Sequence, residues 1–184
     1  ECGMKLGAQG DTIRSFCQTE SDIARSLRRV RGIGYETIQI SGFGAIAPGK
    51  LKALCDEIGL RIVLTHNSAD RILGDTDALI AEHQLYGAKY IGIGSMPERY
   101  RSPEGVARFA ADFTPAAKKI AGAGLLFMYH NHAFEFERMP DGRLMMDALL
   151  EEMPAEIMGV TADVYWLQFG GIDVRAWLRA HGER

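Results

Sequence analysis

The sequence predicts an α/β fold of the (β/α)8 barrel type, with about six of the eight strand–helix units present in its 184 residues. Three observations carry this expectation. Strand-like runs begin at positions 5, 37, 61, 90, 125 and 158 with a helix-length segment between each pair, the spacing of right-handed parallel units. Polar residues gather where the runs end, at Gln9, Ser41, His66 with Asn67, Ser95, His130 to His132 and Asp163, and barrel enzymes assemble their sites from such strand ends. The glycine fingerprint of an open dinucleotide-binding sheet is missing, because Gly7 and Gly10 lead into Asp11 rather than into a helix.

Each element has a local signal. No role is assigned to Glu1, Cys2 and Gly3, which precede Met4. Lys5 to Gln9 reads as the first strand. Thr19, three residues before Asp22, caps a helix from about Glu20 to Val30 that Gly32 and Gly34 end. Thr37 to Ser41 is the second strand, and Pro48 begins a helix with Leu51, Leu54, Cys55 and Ile58 at helical spacing, closed by Gly59. Arg61 to His66 is the third strand. Asp75 then caps a helix bearing Leu79, Ile80, His83 and Tyr86, ended by Gly87, on which His83 reads as a helix-face residue without a chemical task. Tyr90 to Gly94 is the fourth strand, and its loop passes Arg99 and Arg101 to a Ser102-Pro103-Glu104 helix start. Pro115 predicts a break near Thr114. The fifth strand starts at Leu125, Pro140-Asp141-Gly142 turns the chain, and a helix carries Leu144, Met145, Leu149 and Met153. Met158 to Asp163 is the sixth strand, and Asp173 caps a last helix from Val174 to His181.

Composition narrows the function. Hydrophobic residues make up 47% and charged residues 24% of the chain, enough apolar material for the core of a single domain spanning residues 1–184. A net charge of -3, with no Lys/Arg stripe interleaved with aromatics, argues against a nucleic-acid partner. The basic run Arg25 to Arg31 reads as a solvated helix face. No run is long and apolar enough to span a bilayer, and no signal segment opens the chain, so no membrane partner and a cytoplasmic location are expected. Three widely spaced cysteines, Cys2, Cys17 and Cys55, do not suggest a disulfide framework or a zinc knuckle.

Chemistry concentrates in Leu125 to Phe136, LLFMYHNHAFEF. An apolar strand ends in His130, Asn131 and His132, and Glu135 follows. Alternation points His130 and His132 the same way and Asn131 the other. Two imidazoles and a carboxylate this close can bind a metal or move protons near neutral pH.

These residues also carry a resemblance. GAQ at 7–9, YHNHAFEF at 129–136, DVYW at 163–166 and GGID at 170–173 resemble the strand 1, 5 and 6 signatures of the xylose isomerase-like TIM barrels grouped as sugar phosphate isomerases and epimerases. The resemblance implies a divalent metal (Mn, Mg, Co or Zn) held by two Glu, one Asp and one His. Asp163 matches the aspartate. Glu135 is the candidate strand 5 glutamate, although some members place that ligand six residues earlier, where this chain has Tyr129. The resemblance implies a metal-held enediolate of a sugar, keto-sugar or polyol, with His130 and His132 as catalytic acid/base groups and His66, Asn131 and Trp166 binding the substrate.

In that family the remaining His and Glu of the metal set lie on strands 7 and 8, neither of which is found in this sequence. Six units average about 31 residues, so eight would need roughly 245. The expectation is therefore a C-terminally truncated barrel with open strand edges, weak metal affinity, and self-association into a homo-oligomer that covers the edges. Two other readings are a non-catalytic fragment that folds by association and a metal-dependent DNA repair endonuclease.

Overall fold

The computed structural model describes residues 5–184. Its strands, β1 (Gly7–Gln9), β2 (Thr37–Ile40), β3 (Arg61–Asn67), β4 (Tyr90–Ile93), β5 (Leu126–His130) and β6 (Met158–Thr161), follow sequence order in one sheet. The β1–β2, β2–β3 and β5–β6 pairs are parallel. The helices are α1 (Glu20–Ile33), α2 (Pro48–Ile58), α3 (Ala69–Gly74), α4 (Thr76–Tyr86), α5 (Pro103–Gly122), α6 (Met145–Glu152), α7 (Val164–Phe169) and α8 (Val174–His181). Among the described residues no helix is long and apolar enough to cross a membrane. Two compact units are present: the chain to Asn67 with Asp77–Ile91, and Ser68–Thr76 with Gly92–Arg184.

In the first unit, α1 starts where Thr19 Oγ1 accepts the Asp22 N–H at 3.2 Å. It runs through Gly32 and stops at Gly34, whose φ of 118° suits glycine. Its buried stripe of Ile23, Leu27 and Val30 belongs to a core with Ile38 of β2, Leu51 and Cys55 of α2, and Ile62 of β3. Burial pushes the Cys55 thiol up to about 11, which keeps it a neutral packing group. Cys17 is also buried and free; Cys2 lies outside the described residues. The opposite face of α1 is solvated, with Arg28 paired to Glu57 at 3.0 Å. After β1 the chain makes a 3-10 turn, Gly10–Phe16. A Cβ at Gly10 would stand 2.6 Å from the Gln39 carbonyl oxygen, so the close approach to β2 requires glycine. His83 is wholly buried rather than merely on a helix face. Its ring nitrogens bond Thr65 Oγ1 at 2.8 Å and the Leu79 carbonyl at 2.7 Å.

The second unit is built on α5, which begins at Pro103 with Ser102 Oγ accepting the Gly105 N–H at 3.0 Å. The break expected near Thr114 does not occur; α5 is continuous through Pro115. The reason is energetic. A proline inside a helix costs about 3 kcal/mol, whereas each buried phenylalanine contributes roughly 1.5–3 kcal/mol. Phe109 and Phe113 stack at 4.1 Å, Phe113 stacks on Phe127 of β5 at 5.8 Å, and Phe109 meets Tyr129 edge-on at 5.7 Å. Strand alternation follows. Phe127 and Tyr129 are buried against α5, while Leu126, Met128 and His130 take the other face. On β6, a Cβ at Gly159 would stand 2.6 Å from the Met128 sulfur, so that face is closely packed.

Candidate active site

His130 is the last residue of β5, and both of its ring nitrogens have partners. Nδ1 lies 2.8 Å from the Gly94 carbonyl oxygen, and Nε2 lies 3.1 Å from Asp163 Oδ2. A carbonyl and a carboxylate only accept. Each ring nitrogen of His130 therefore faces an oxygen, and the two contacts fix the orientation of the ring.

Asp163 lies just beyond β6, and α7 begins immediately after it. Its Oδ1 accepts the backbone N–H groups of Tyr165 at 3.0 Å and Trp166 at 3.4 Å, an N-cap that fixes the carboxylate. Asn131 secures the same corner. Its Oδ1 accepts the Asp163 N–H at 2.8 Å, and its Nδ2 donates to the Asp163 carbonyl at 3.3 Å. With its amide committed to backbone and its side chain wholly buried, Asn131 ties β5 to β6. The structure thus gives this amide a structural task where a substrate-binding one was expected.

His132 meets His130 although β5 has already ended; the ring centroids are 4.8 Å apart. It packs against Trp166 at 5.2 Å and stacks near Phe134 at 6.2 Å. Burial first, then the neighbouring His130 and Arg101, hold its protonation below the ordinary histidine range. Its Nδ1 is buried without a hydrogen-bond partner. The site thus has one imidazole held between a carbonyl and a carboxylate beside another that favours the neutral form.

Glu135 sits on the 3-10 turn Phe134–Phe136 and is 1% exposed. Tyr129 donates its hydroxyl to Oε1 at 2.6 Å, and the His132 backbone N–H donates to Oε2 at 2.8 Å. The carboxylate therefore closes the loop that carries His130 and His132. Sequence reasoning passed over Tyr129 in this role, and it also passed over Arg101, whose guanidinium centre lies 4.5 Å from the Phe134 ring centroid.

His66 belongs to the first unit. Gln39 Nε2 donates to its Nε2 at 3.0 Å, leaving Nδ1 to donate to Ser41 Oγ at 3.1 Å.

No known family profile matches the chain, and no curated protein sequence matches it. Solved structures do. A sugar phosphate isomerase/epimerase from Parabacteroides distasonis superposes with a TM-score of 0.81 at 24% identity, covering 100% of this chain and 73% of that one. The chain shares the fold of part of a TIM barrel. An AP endonuclease, family 2, from Brucella melitensis shares it at a TM-score of 0.71 and 13% identity, covering 96% of this chain and 74% of that one. So does a xylose isomerase-like TIM barrel protein from Mycobacterium smegmatis in complex with magnesium, at 0.64 and 14%, covering 85% and 63%.

Magnesium in one such barrel raises the question of fit here. The expected ligand pair, Glu135 and Asp163, does not fit a metal. Each Glu135 oxygen already accepts a buried donor, and Asp163 spends one oxygen on backbone N–H groups and the other on His130. Among the described residues no group of three or more His, Cys, Asp or Glu side chains is placed to hold an ion, and fewer ligands rarely retain one.

Proposed function

We propose that the second unit carries a proton-transfer site of the sugar isomerase and epimerase type, acting on a sugar, keto-sugar or polyol. The observation that carries this reading is the juxtaposition of His130, its two nitrogens facing the Gly94 carbonyl and the Asp163 carboxylate, and His132, held toward the neutral form 4.8 Å away. His132 takes the proton from a carbon next to a carbonyl. His130 gives a hydrogen to the carbonyl oxygen as the enediol forms. Returning the proton to the neighbouring carbon gives an isomer, and returning it to the opposite face of the same carbon gives an epimer. Trp166 supplies a flat apolar wall for the C–H face of the ring. A net charge of -3 supports this reading over the endonuclease, which needs a positive groove for phosphates.

The test is proton exchange. The protein is incubated in D2O with a panel of aldoses, ketoses, keto-sugars and their phosphates, and loss of the carbon-bound proton is followed by NMR. Exchange with at least one member, faster than in protein-free controls, is the expected result. A panel without exchange overturns the proposal.

Self-association is proposed on separate grounds. Leu6, Phe16 and Ile33 in the first unit, and Val164, Tyr165 and Phe169 in the second, expose large apolar surface. The first unit also has a groove of about 230 Å³ lined by Ile13, Phe16, Val30 and Ile33 together with Arg25, Ser26 and Arg29. Surfaces of this kind mark interfaces. Light scattering at micromolar concentration is expected to give at least a dimer mass, and a monomer mass would remove the proposal.

A further inference from the structure

Arg101 differs from the other arginines of the second unit that carry ion pairs. Arg143 is paired with Asp141 and Glu151, and Arg99 faces Asp70. Among the described residues Arg101 has no ion-pair partner. Its Nε donates to the Met96 carbonyl at 2.8 Å and its Nη2 to Ser95 Oγ at 2.9 Å, both uncharged acceptors. Its guanidinium stacks on Phe134 at 4.5 Å, and Phe134 is in turn stacked near His132. The side chain is thus held from one edge and one face, while Arg101 as a whole remains exposed. A guanidinium carries five N–H donors in a planar fork, so donors remain on the edge that no protein group occupies. Its field reaches the site, since it is among the causes that lower the His132 protonation.

An arginine fixed in this way, next to the aromatic shelf of Phe134, His132 and Trp166, matches an oxyanion better than a neutral hydroxyl. Two parallel N–H groups recognise a carboxylate or a phosphate in bidentate fashion. We propose that Arg101 is the anion-binding group of this site, so that its substrate is a sugar or polyol derivative bearing a phosphate or a carboxylate. This rests on the proton-transfer reading for the location of the reacting carbon, but anion binding itself can be measured without turnover.

The experiment titrates the full chain with glucose 6-phosphate, gluconate and glucose, following tryptophan fluorescence, with Trp166→Phe locating the signal at the shelf. One of the two anions is expected to bind the wild-type protein at least about ten-fold more tightly than glucose, the scale of a charge-assisted hydrogen bond. Which anion does so identifies phosphate or carboxylate as the source. Arg101→Gln is expected to remove that preference while leaving glucose binding unchanged, and Arg101→Lys, which keeps the charge but not the fork, to retain part of it. Circular dichroism checks that each variant is folded, and Arg101→Lys decides if Arg101→Gln does not fold. Equal binding of all three compounds overturns the inference, as does a preference for the anion that persists undiminished in both variants. Arg101-dependent anion binding without any proton exchange would sink the proton-transfer reading and leave this one standing. Exchange on neutral sugars, unaffected by Arg101→Gln, would do the reverse.

Discussion

Glu135→Ala is expected to destabilise the protein by about 2–4 kcal/mol. The substitution leaves the Tyr129 hydroxyl and the His132 N–H without the acceptors they have at 2.6 and 2.8 Å, and each buried unsatisfied donor costs about 1–3 kcal/mol. Relief from desolvating a carboxylate offsets part of that sum. Glu135→Gln is expected to cost less than about 1 kcal/mol, because its amide oxygen can accept from His132 while its NH2 donates to a rotated Tyr129 hydroxyl. Urea denaturation of the three proteins checks both values. A metal ligand would behave otherwise, since the amide would cost metal affinity while having little effect on the metal-free fold.

The same carboxyl makes the comparison depend on pH. Burial, the largest cause, raises the Glu135 pKa above its ordinary value, and the hydrogen bonds from Tyr129 and His132 oppose it without cancelling it. A raised folded pKa means that the protonated form is favoured by folding. Its contribution to stability is full below the ordinary value of 4.5 and is lost as pH rises through the folded value. Wild type is therefore expected to lose ground against Glu135→Gln as pH rises through that window. A difference independent of pH would show that Glu135 has the same affinity for protons in the folded and unfolded chain.

The strand–helix alternation was legible because its signals are local. Thr19, Pro48, Gly59, Ser102 and Asp173 each act within one helical turn, and each stands at the helix end where its chemistry places it. Other features depend on geometry that only the folded chain has. Pro115 signals a break, but Phe109, Phe113 and Phe127 outweigh it only through packing between α5 and β5. Glu135 looks like a ligand because a carboxylate follows two histidines. That the Tyr129 hydroxyl, at the end of the strand, reaches back to it is a property of the 3-10 turn. Asp163 reads equally well as ligand or cap, and the helix beginning at Val164 reveals the capping contacts. Arg101 carries no periodic or motif signal, because the lack of a carboxylate neighbour is a fact of three dimensions.

The largest effect on activity is expected from His132→Gln, a loss of about 10²- to 10⁴-fold in proton exchange, the contribution typical of a positioned general base. Its depressed protonation places the acidic limb of the wild-type rate profile below the ordinary value of 6.5. The sign for stability is the same. A depressed folded pKa gives a contribution that is present above 6.5 and lost as pH falls through the folded value. Asp163→Asn tests the other half of the pair. Retaining the oxygen that caps Tyr165 and Trp166 turns the NH2 of the new amide toward His130 Nε2, where Oδ2 now stands at 3.1 Å. Facing a donor, Nε2 is then held as an acceptor, and Nδ1 carries the hydrogen toward the Gly94 carbonyl. Exchange is then expected to fall by about the same 10²- to 10⁴-fold without loss of the fold. Imidazole 15N chemical shifts would show directly which nitrogen of His130 carries a hydrogen in the variant. If Asp163→Asn alters the His130 nitrogens and leaves the rate untouched, His130 is not the acid.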